Sequence, residues 1–391
     1  MPKENAVAIS HVTEYDEERI FGELARHFEV LGITKAFLSG KKVAIKPNLV
    51  MRKPPEAAAT THPTVIRALV RLLSELGVPS PVIAESPGGV YSPARMEQFY
   101  QTCGIRDAVR GTAAVLNNDT SAVWVDDPAG KAVKTFHILT PLAEADVIFD
   151  VCKLKTHSLT AMSGAVKNLF GSIPGIEKFE IHAAHPDPED FENTVVDLCA
   201  MFCRRAEVIA VTDAIVGMEG NGPTGGNPKA VGALLTSRNP FASDLAAETV
   251  LGFAGRVGTV AVSRERGFVP QACDGLFYPL LAPTDIPAVD VLPAQSRGNA
   301  SVKALRFFSG GVVGRLLSPR PQIDPKRCRG CGECVRSCPK KTIVLTQKGA
   351  KTVASIRPSS CIRCFCCQEL CPFTAIDTKR NGIMKIVSLL R

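Results

Sequence analysis

Eight cysteines near the C-terminal end of the sequence fall into two copies of one spacing. Each copy reads Cys-x2-Cys-x2-Cys-x3-Cys-Pro, the first over residues 328–339 and the second over residues 361–372. Thiolates this close in sequence can surround a metal centre together, and the proline that ends each run turns the chain away from it. A ninth cysteine, Cys366, lies outside the spacing, and we interpret it as a small buried apolar residue.

The doubled spacing resembles the signature of the bacterial two-cluster [4Fe–4S] ferredoxins over about residues 321–380. In that signature the last cysteine of each run binds the cluster of the other run. The resemblance implies two [4Fe–4S] clusters and their ligands. The implied ligands are Cys328, Cys331, Cys334 and Cys371 for cluster 1 and Cys338, Cys361, Cys364 and Cys367 for cluster 2. Zinc is the alternative, but zinc ribbons separate their cysteine pairs by a longer loop.

Two glycines of the first run, Gly330 and Gly332, are predicted to adopt positive φ angles. Glycine has no Cβ and tolerates that conformation, which lets consecutive N–H groups of a loop point toward sulfur. The second run has a similar continuation after its proline, so we expect two related βαβ-like halves.

The charge of the sequence is concentrated at the C-terminal end. Residues 321–391 carry a net charge of +10, whereas residues 1–320 carry a net charge of −2. Basic segments often bind nucleic acid, but two four-thiolate clusters would offset about four of these charges. We therefore expect no nucleic-acid partner. The surplus would guide an acidic redox partner protein or dock the segment on the rest of the chain, and a solvated basic surface is the alternative.

Composition and pattern divide the chain into three predicted parts. Residues 1–300 form an α/β domain, residues 301–320 a linker with a candidate short basic helix, and residues 321–391 the ferredoxin-like domain. No run of 18 apolar residues is free of charge, and no signal-peptide pattern opens the sequence. We therefore expect no membrane span and a cytoplasmic location, where cysteines more often bind metals than form disulfides.

The first 300 residues alternate between strand and helix patterns. "KKVAIKPNLV", "PVIAES", "ADVIFDVCKLKT", "EVIAVTDAIVG" and "VGALLTS" are predicted strands, and "HPTVIRALVRLLSELG", "AMSGAVKNLFGS", "TVVDLCAMFCRRA" and "PFASDLAAETVLGF" are predicted helices. We expect Ser243 to cap the last helix. This alternation predicts a mainly parallel sheet sandwiched by helices, beside the smaller α+β ferredoxin-like domain. Ligands in such folds bind at the carboxyl ends of strands.

Polar residues follow several of these strands. Lys153, Lys155 and His157 alternate along one strand, so they would project to one face and, with the following helix, suit a carboxylate or phosphate. The candidate ligand-binding residues are Lys46, His62, Lys153, Lys155, His157, Lys167 and Asn168. The candidate catalytic residues, as proton donors, are His157, Lys155, Asp213 and Glu219. A solvated basic turn is the alternative for the first set.

Other residues allow weaker interpretations. His182 and His185 are three residues apart near two aspartates and could bind a metal, although the prolines around them favour an ordinary loop. Cys199 and Cys203 lie one helical turn apart, which favours core packing. The run from Gly220 to Gly225 matches Gly-x-Gly-x-x-Gly but leads into a strand, so we exclude a dinucleotide site.

The order of motifs in the α/β part resembles the domain of unknown function 362 family. The resemblance rests on "KPNLV", "THP", "ESPGG", "KLKTHSLTAMSGAVKNLFG", "DAIVGMEGNGPTGG" and "SDLAAE", over about residues 40–255. It implies an α/β domain without an assigned reaction, often followed by a ferredoxin-type tail, as here.

Together these patterns predict an iron–sulfur protein that passes single electrons to or from a small anionic ligand in the α/β domain. Two alternatives remain: a ferredoxin-type carrier whose α/β domain docks a partner enzyme, and a non-redox enzyme with structural clusters.

Overall fold

A computed structural model describes residues 5–185, 187–294 and 320–379 of the chain. The first 294 residues contain ten strands and eleven α-helices among the described residues. The strands are β1 (Val7–His11), β2 (Val43–Pro47), β3 (Val82–Ile83), β4 (Val115–Leu116), β5 (Ala122–Asp126), β6 (Thr135–Leu139), β7 (Val147–His157), β8 (Ala161–Ser163), β9 (Glu207–Glu219) and β10 (Asn227–Ser237). The helices are α1 (Glu17–Leu31), α2 (Lys35–Leu38), α3 (Pro63–Glu75), α4 (Pro93–Thr102), α5 (Ile105–Ala108), α6 (Thr140–Ala143), α7 (Ala165–Asn168), α8 (Glu177–Ala184), α9 (Pro188–Arg205), α10 (Pro240–Val250) and α11 (Gly258–Glu265).

One mixed sheet organises this larger domain, in the order β1-β10-β9-β7-β2-β3-β4. The five strands from β9 to β4 are parallel, and β10 and β1 extend the sheet antiparallel. The short strand β8 folds back on the end of β7, and β5 and β6 form a separate hairpin. The predicted mainly parallel sheet is confirmed.

Helices cover both faces of the sheet, so β7 is buried along its whole length. The consecutive β7 residues Ile148 and Phe149 point to opposite faces of the sheet, as the two-residue period of a strand requires. Ile148 joins the core formed with α9 and α10, whereas Phe149 joins the core formed with α1 and α3. A strand covered on both faces explains the continuous apolar run "VIFDVC".

Two local predictions need correction. The segment predicted as one helix from Ala161 to Ser172 is the strand β8, the short helix α7 and a 3₁₀ turn over Leu169–Ser172. Helix α10 is capped by Asn239, whose side-chain oxygen accepts from the first backbone N–H groups, because Pro240 occupies the first helical position. Ser243 instead hydrogen-bonds Thr212 inside the core.

The C-terminal domain begins with β11 and forms a small α+β unit. Its elements are β11 (Arg320–Ile323), α12 (Glu333–Arg336), β12 (Ile343–Lys348), β13 (Lys351–Ile356), α13 (Cys366–Glu369) and β14 (Ile376–Lys379). Strand β11 pairs with β14, and β12 pairs with β13, both antiparallel. The predicted linker lies outside the described residues except for its last residue, Arg320.

Candidate functional site

The two cysteine runs fold as two copies of one backbone conformation. Positive φ angles occur at Gly330 and Gly332 in the first run, as predicted, and at Arg363 and Phe365 in the matching positions of the second. Arg363 and Phe365 carry a Cβ and lack the backbone freedom of glycine. The left-handed conformation costs each of them on the order of 1 kcal/mol. The second run therefore repeats the loop geometry of the first even where its side chains disfavour it.

The cysteines come together in the two sets that the spacing predicts. Cys328, Cys331, Cys334 and Cys371 line one cavity. In the other set, burial raises the pKa of the Cys361 thiol, and the charges of Cys364 and Cys338 raise it further because they lie close by.

Backbone N–H groups point at several of these sulfur atoms. Thr342 N lies 3.3 Å from Cys338 Sγ, and Ala375 N lies 3.2 Å from Cys371 Sγ at the matching position of the second run. Such donors stabilise anionic sulfur. Thiolate-type donors held by amide groups in two sets of four fit the ligand set of two iron–sulfur clusters.

A second cavity, of about 70 Å³, lies where the C-terminal domain meets the carboxyl ends of the sheet strands. That volume holds a few water molecules or a small anion. Charged and amide side chains line much of it: Asn48, Glu85, Lys155, Lys167, Asn168, Lys178, His182 and Glu369. The first seven belong to the α/β domain and Glu369 to α13, so both domains build this cavity.

The lysines of this cavity differ in how their ammonium groups are satisfied. Lys155 Nζ donates to Asn48 Oδ1 at 3.0 Å and to the carbonyl of Ala59 at 2.6 Å. Lys178 Nζ donates to the carbonyls of Ser86 and Ile173. Among the described residues Lys167 has neither a hydrogen bond nor an ion pair, and its Nζ lies 5.8 Å from the ring centre of Phe170.

Burial moves the pKa values of several ionisable side chains at this cavity toward 7. It lowers the pKa of Lys155 and of Lys178 to about 7 each, with like charges such as Lys167 beside Lys155 adding to the effect. Burial also raises the pKa of Asp150, below the cavity, to about 8, although Lys46 opposes this. The site therefore contains groups that can exchange protons near pH 7.

His157 lies at the edge of this cavity, next to Glu369. Its Nδ1 accepts from the backbone N–H groups of Leu159 and Thr160, so the ring proton is assigned to Nε2. That atom lies 3.3 Å from Glu369 Oε1. Burial lowers the pKa of His157 to about 4, which keeps the ring neutral at pH 7.

Lys46 lies behind the cavity and pairs with the buried Glu85. A Cβ added at Gly171 would lie 2.3 Å from Glu85 Oε1 and 2.6 Å from Lys46 Nζ. Only glycine leaves room for this ion pair at that position.

Three of the predicted residues form a separate group. Lys153 Nζ lies 2.7 Å from Asp213 Oδ2 and 2.7 Å from the hydroxyl of Tyr15. The ring of His62 stacks on Tyr15 with centres 3.5 Å apart, and its backbone N–H donates to Asp213. The pairing of β7 with β9 shifts register between Lys153 and Lys155, so these two lysines join different polar groups.

Glu219 joins neither group. Its carboxylate lies 3.6 Å from Lys229 Nζ and accepts from the backbone N–H of Leu292, at the far end of β9. The two histidines considered as metal ligands, His182 and His185, contact different residues. His182 stacks on Phe191, whereas His185 hydrogen-bonds Asp190.

Comparison with protein families gives two matches. The model of the domain of unknown function DUF362 matches residues 43–249, more than half of the chain. The chain belongs to the DUF362 family. A 4Fe-4S dicluster domain matches residues 320–372, so the DUF362 domain is followed by an iron–sulfur domain.

Three known proteins are similar to parts of this DUF362 chain. A thylakoid-associated protein of Synechocystis sp. is 27% identical over 290 residues, covering 72% of this chain and 85% of that protein. An uncharacterized ferredoxin of Methanocaldococcus jannaschii is 38% identical over 59 residues, covering 15% of this chain and 90% of its own length. The lactate racemase apoprotein of Thermoanaerobacterium thermosaccharolyticum aligns with a TM-score of 0.38 at 16% identity. That alignment covers 66% of this chain and 60% of the racemase chain. No described helix is long and apolar enough to cross a membrane.

Sequence reasoning missed Glu369 as a neighbour of the DUF362 domain. It is one of only four acidic residues in the last 71 positions, and this isolation in a basic segment was the available signal. Its contacts depend on domain docking. Thr224 Oγ1 donates to the carbonyl of Glu369 at 2.9 Å, and a Cβ added at Gly88 would lie 2.8 Å from Leu370 Cδ2.

Proposed function

We propose that this protein transfers single electrons through two [4Fe–4S] clusters to or from a small anionic ligand bound in the interdomain cavity. We assign the eight cysteines named above as the cluster ligands, in the two sets that the ferredoxin signature implies. Each cluster supplies one-electron redox chemistry when it is bound. We further propose that the protein works in the reducing cytoplasm and meets a redox partner protein there.

The observation that carries this proposal is the position of α13. This short helix contains Cys366, Cys367 and Glu369, so one turn of chain joins a proposed cluster ligand to the wall of the lysine-lined cavity. A carrier that only served outside partners would not need its cysteine loop to form part of a buried polar cavity.

Within the cavity we assign anion binding to Lys155 and Lys167. Of the three lysines that line the cavity, Lys167 is the one without a hydrogen bond or ion pair to described residues, and an anion would supply that partner. Lys155, with a pKa near 7, can give up or take back a proton at neutral pH. Asp213, Glu219 and His157 lie outside the cavity lining, so Lys155 is the best-placed proton donor of the four candidates.

Anaerobic reconstitution with iron and sulfide tests the cluster part of the proposal. We expect about eight iron atoms per chain and, after reduction, the electron paramagnetic resonance signals of [4Fe–4S] clusters. A colourless protein with stoichiometric zinc would contradict it.

Titration of the reconstituted protein with acetate and inorganic phosphate tests the ligand part. We expect saturable binding that is weakened at least tenfold in Lys167→Met, because this change removes the unpaired ammonium. Lys131→Met changes a lysine outside the cavity lining and is the matched control. Equal binding by both variants would contradict the assignment.

One observation favours the second candidate, a carrier whose α/β domain only docks a partner enzyme. Two of the three lysines that line the cavity are already satisfied by protein oxygen atoms. Failure of every small anion to bind, together with co-purification of one stoichiometric partner, would support that function.

A further inference from the structure

One of the carboxylates that line the interdomain cavity, that of Glu369, belongs to the C-terminal domain. The side chain of Glu369 is only 13% exposed, although it comes from a surface helix of a small domain. Its Oε1 has no properly angled hydrogen bond among the described residues. That oxygen lies 3.3 Å from His157 Nε2, so the cavity contains a carboxylate whose charge must be counted together with those of the lining lysines.

Charged side chains of both signs surround the cavity. Lys155, Lys167, Lys178, Glu85 and Glu369 line it. Two further charged side chains bond directly to lining residues: Lys46 to Glu85, and Asp150 to Asn168 through a 2.7 Å hydrogen bond. With all of these groups ionised, four lysines face three carboxylates, a formal charge of +1. Near pH 7 two departures from this count offset each other: burial raises the pKa of Asp150 to about 8, which removes a negative charge, and lowers those of Lys155 and Lys178 to about 7, which removes about one positive charge in total.

The two histidines beside the cavity leave this balance unchanged. Burial lowers the pKa of His157 to about 4 and that of His182 to about 3, so both rings are neutral at pH 7. The Lys153–Asp213 pair is internally neutral and lies in the separate group.

We propose that Glu369 selects the charge of the ligand, so that the cavity accepts a small monoanion, such as a monocarboxylate, and rejects dianions. This inference rests on the proposed function and narrows the ligand class from small anions to small monoanions. A monoanion neutralises the residual charge of the cavity. A dianion would leave uncompensated negative charge beside Glu369, which is costly in a buried site.

The cavity volume is consistent with this class. A cavity of about 70 Å³ has room for a small carboxylate. The Lys167 ammonium is the group that such a ligand would pair with.

The test compares Glu369→Gln with the wild-type chain, both with clusters reconstituted. Acetate is the monoanionic probe and malonate the dianionic probe, and calorimetry gives both dissociation constants at pH 7. Glutamine has nearly the shape of glutamate, so a change in the malonate-to-acetate affinity ratio reports charge and not space. We expect this ratio to rise at least about tenfold in Glu369→Gln, as removal of a charge a few ångströms away predicts.

Two control variants separate charge selection from domain docking. Glu333→Gln removes the other interdomain carboxylate, which lies 3.5 Å from Arg95 outside the lysine-lined cavity. Glu369→Asp keeps the charge with a shorter side chain. Both should leave the affinity ratio within about twofold of wild type, because neither changes the charge of the cavity.

If Glu369→Gln fails to retain iron, Lys167→Gln decides the question, because this residue lies in the other domain. It should weaken malonate more than acetate and so move the ratio in the opposite direction. An unchanged ratio in the Glu369→Gln and Lys167→Gln variants, with both anions bound, would overturn charge selection but leave the anion site intact. If neither anion binds the wild-type chain, the proposed function fails as well.

Discussion

At the scale of single residues, Lys155 should make anion binding depend on pH. Burial lowers its pKa to about 7, and only the ammonium form attracts an anion. The lowered pKa means that the charge is present below pH 7 and is lost as the pH rises through 7. We therefore expect the affinity for acetate to fall about tenfold between pH 6 and pH 8, as one lost charge predicts.

Lys178 shares this lowered pKa, so Lys155→Met should bind acetate more weakly and show a shallower pH dependence, not a flat one. Titration calorimetry at several pH values measures both effects. An affinity that stays constant from pH 6 to pH 9 would show that Lys155 does not contact the anion.

The spare cysteine gives a second prediction at this scale. Cys366 is buried, and its thiol lies 3.9 Å from the carbonyl oxygen of Cys364. We expect Cys366→Ala to keep about eight irons per chain, because alanine fills nearly the same small apolar space. Cys364→Ala should lose about four irons, since it removes a proposed ligand of one cluster. Iron analysis compares the two, and a loss of iron in Cys366→Ala would make that residue a ligand.

At the scale of elements, helix α7 depends on one carboxylate and one glycine. Asp244 accepts from the backbone N–H groups of Ala165 and Val166, which open the helix. A Cβ added at Gly164 would lie 2.2 Å from Asp244 Oδ1. The position of α7 in turn sets the positions of Lys167 and Asn168 in the cavity.

We therefore expect Gly164→Ala to lower the free energy of unfolding by about 1–3 kcal/mol, as overpacking does, and to weaken acetate binding. Gly22→Ala is the matched control, because a Cβ at Gly22 in α1 meets no atom within 4 Å. That change should be neutral or stabilise the protein by up to about 1 kcal/mol through helix propensity. Denaturant unfolding measures both, and equal stabilities would mean that α7 shifts to accommodate the methyl group.

At the scale of the whole molecule, the two domains have separate apolar cores. The two large core clusters contain only residues of the α/β domain, and a third contains only residues of the C-terminal domain. The contacts between the domains include the polar pairs Arg95–Glu333 and Thr224–Glu369.

We therefore expect the chain truncated after residue 294 to fold cooperatively, with a melting temperature within about 5 °C of the α/β transition in the full chain. Each domain with its own core is an independent unit of stability. Thermal denaturation followed by near-ultraviolet circular dichroism checks this. Loss of the cooperative transition would show that docking of the C-terminal domain is required for the α/β fold.

The parts that could be predicted from the sequence are those encoded in contiguous segments. The spacing of eight cysteines predicted both sets, because the ferredoxin pattern repeats within 45 residues and each loop is short. The apolar run of β7 and the alternation with helices predicted the sheet. Helix α10 shows the limit of this approach, because Ser243 and Asn239 are both good cap residues and only the position of Pro240 distinguishes them.

The sequence by itself determined the doubled cysteine spacing, the mainly parallel sheet and the lysine-rich strand end, since each is a property of local segments. Tertiary structure decided which of those lysines share a cavity. The register shift between β7 and β9 sends Lys153 to Asp213 and Lys155 to Asn48, and two-residue alternation cannot show such a shift. Docking then brings Glu369 within 3.3 Å of His157, 212 positions away, a contact set by the packing of two domains and by no local pattern.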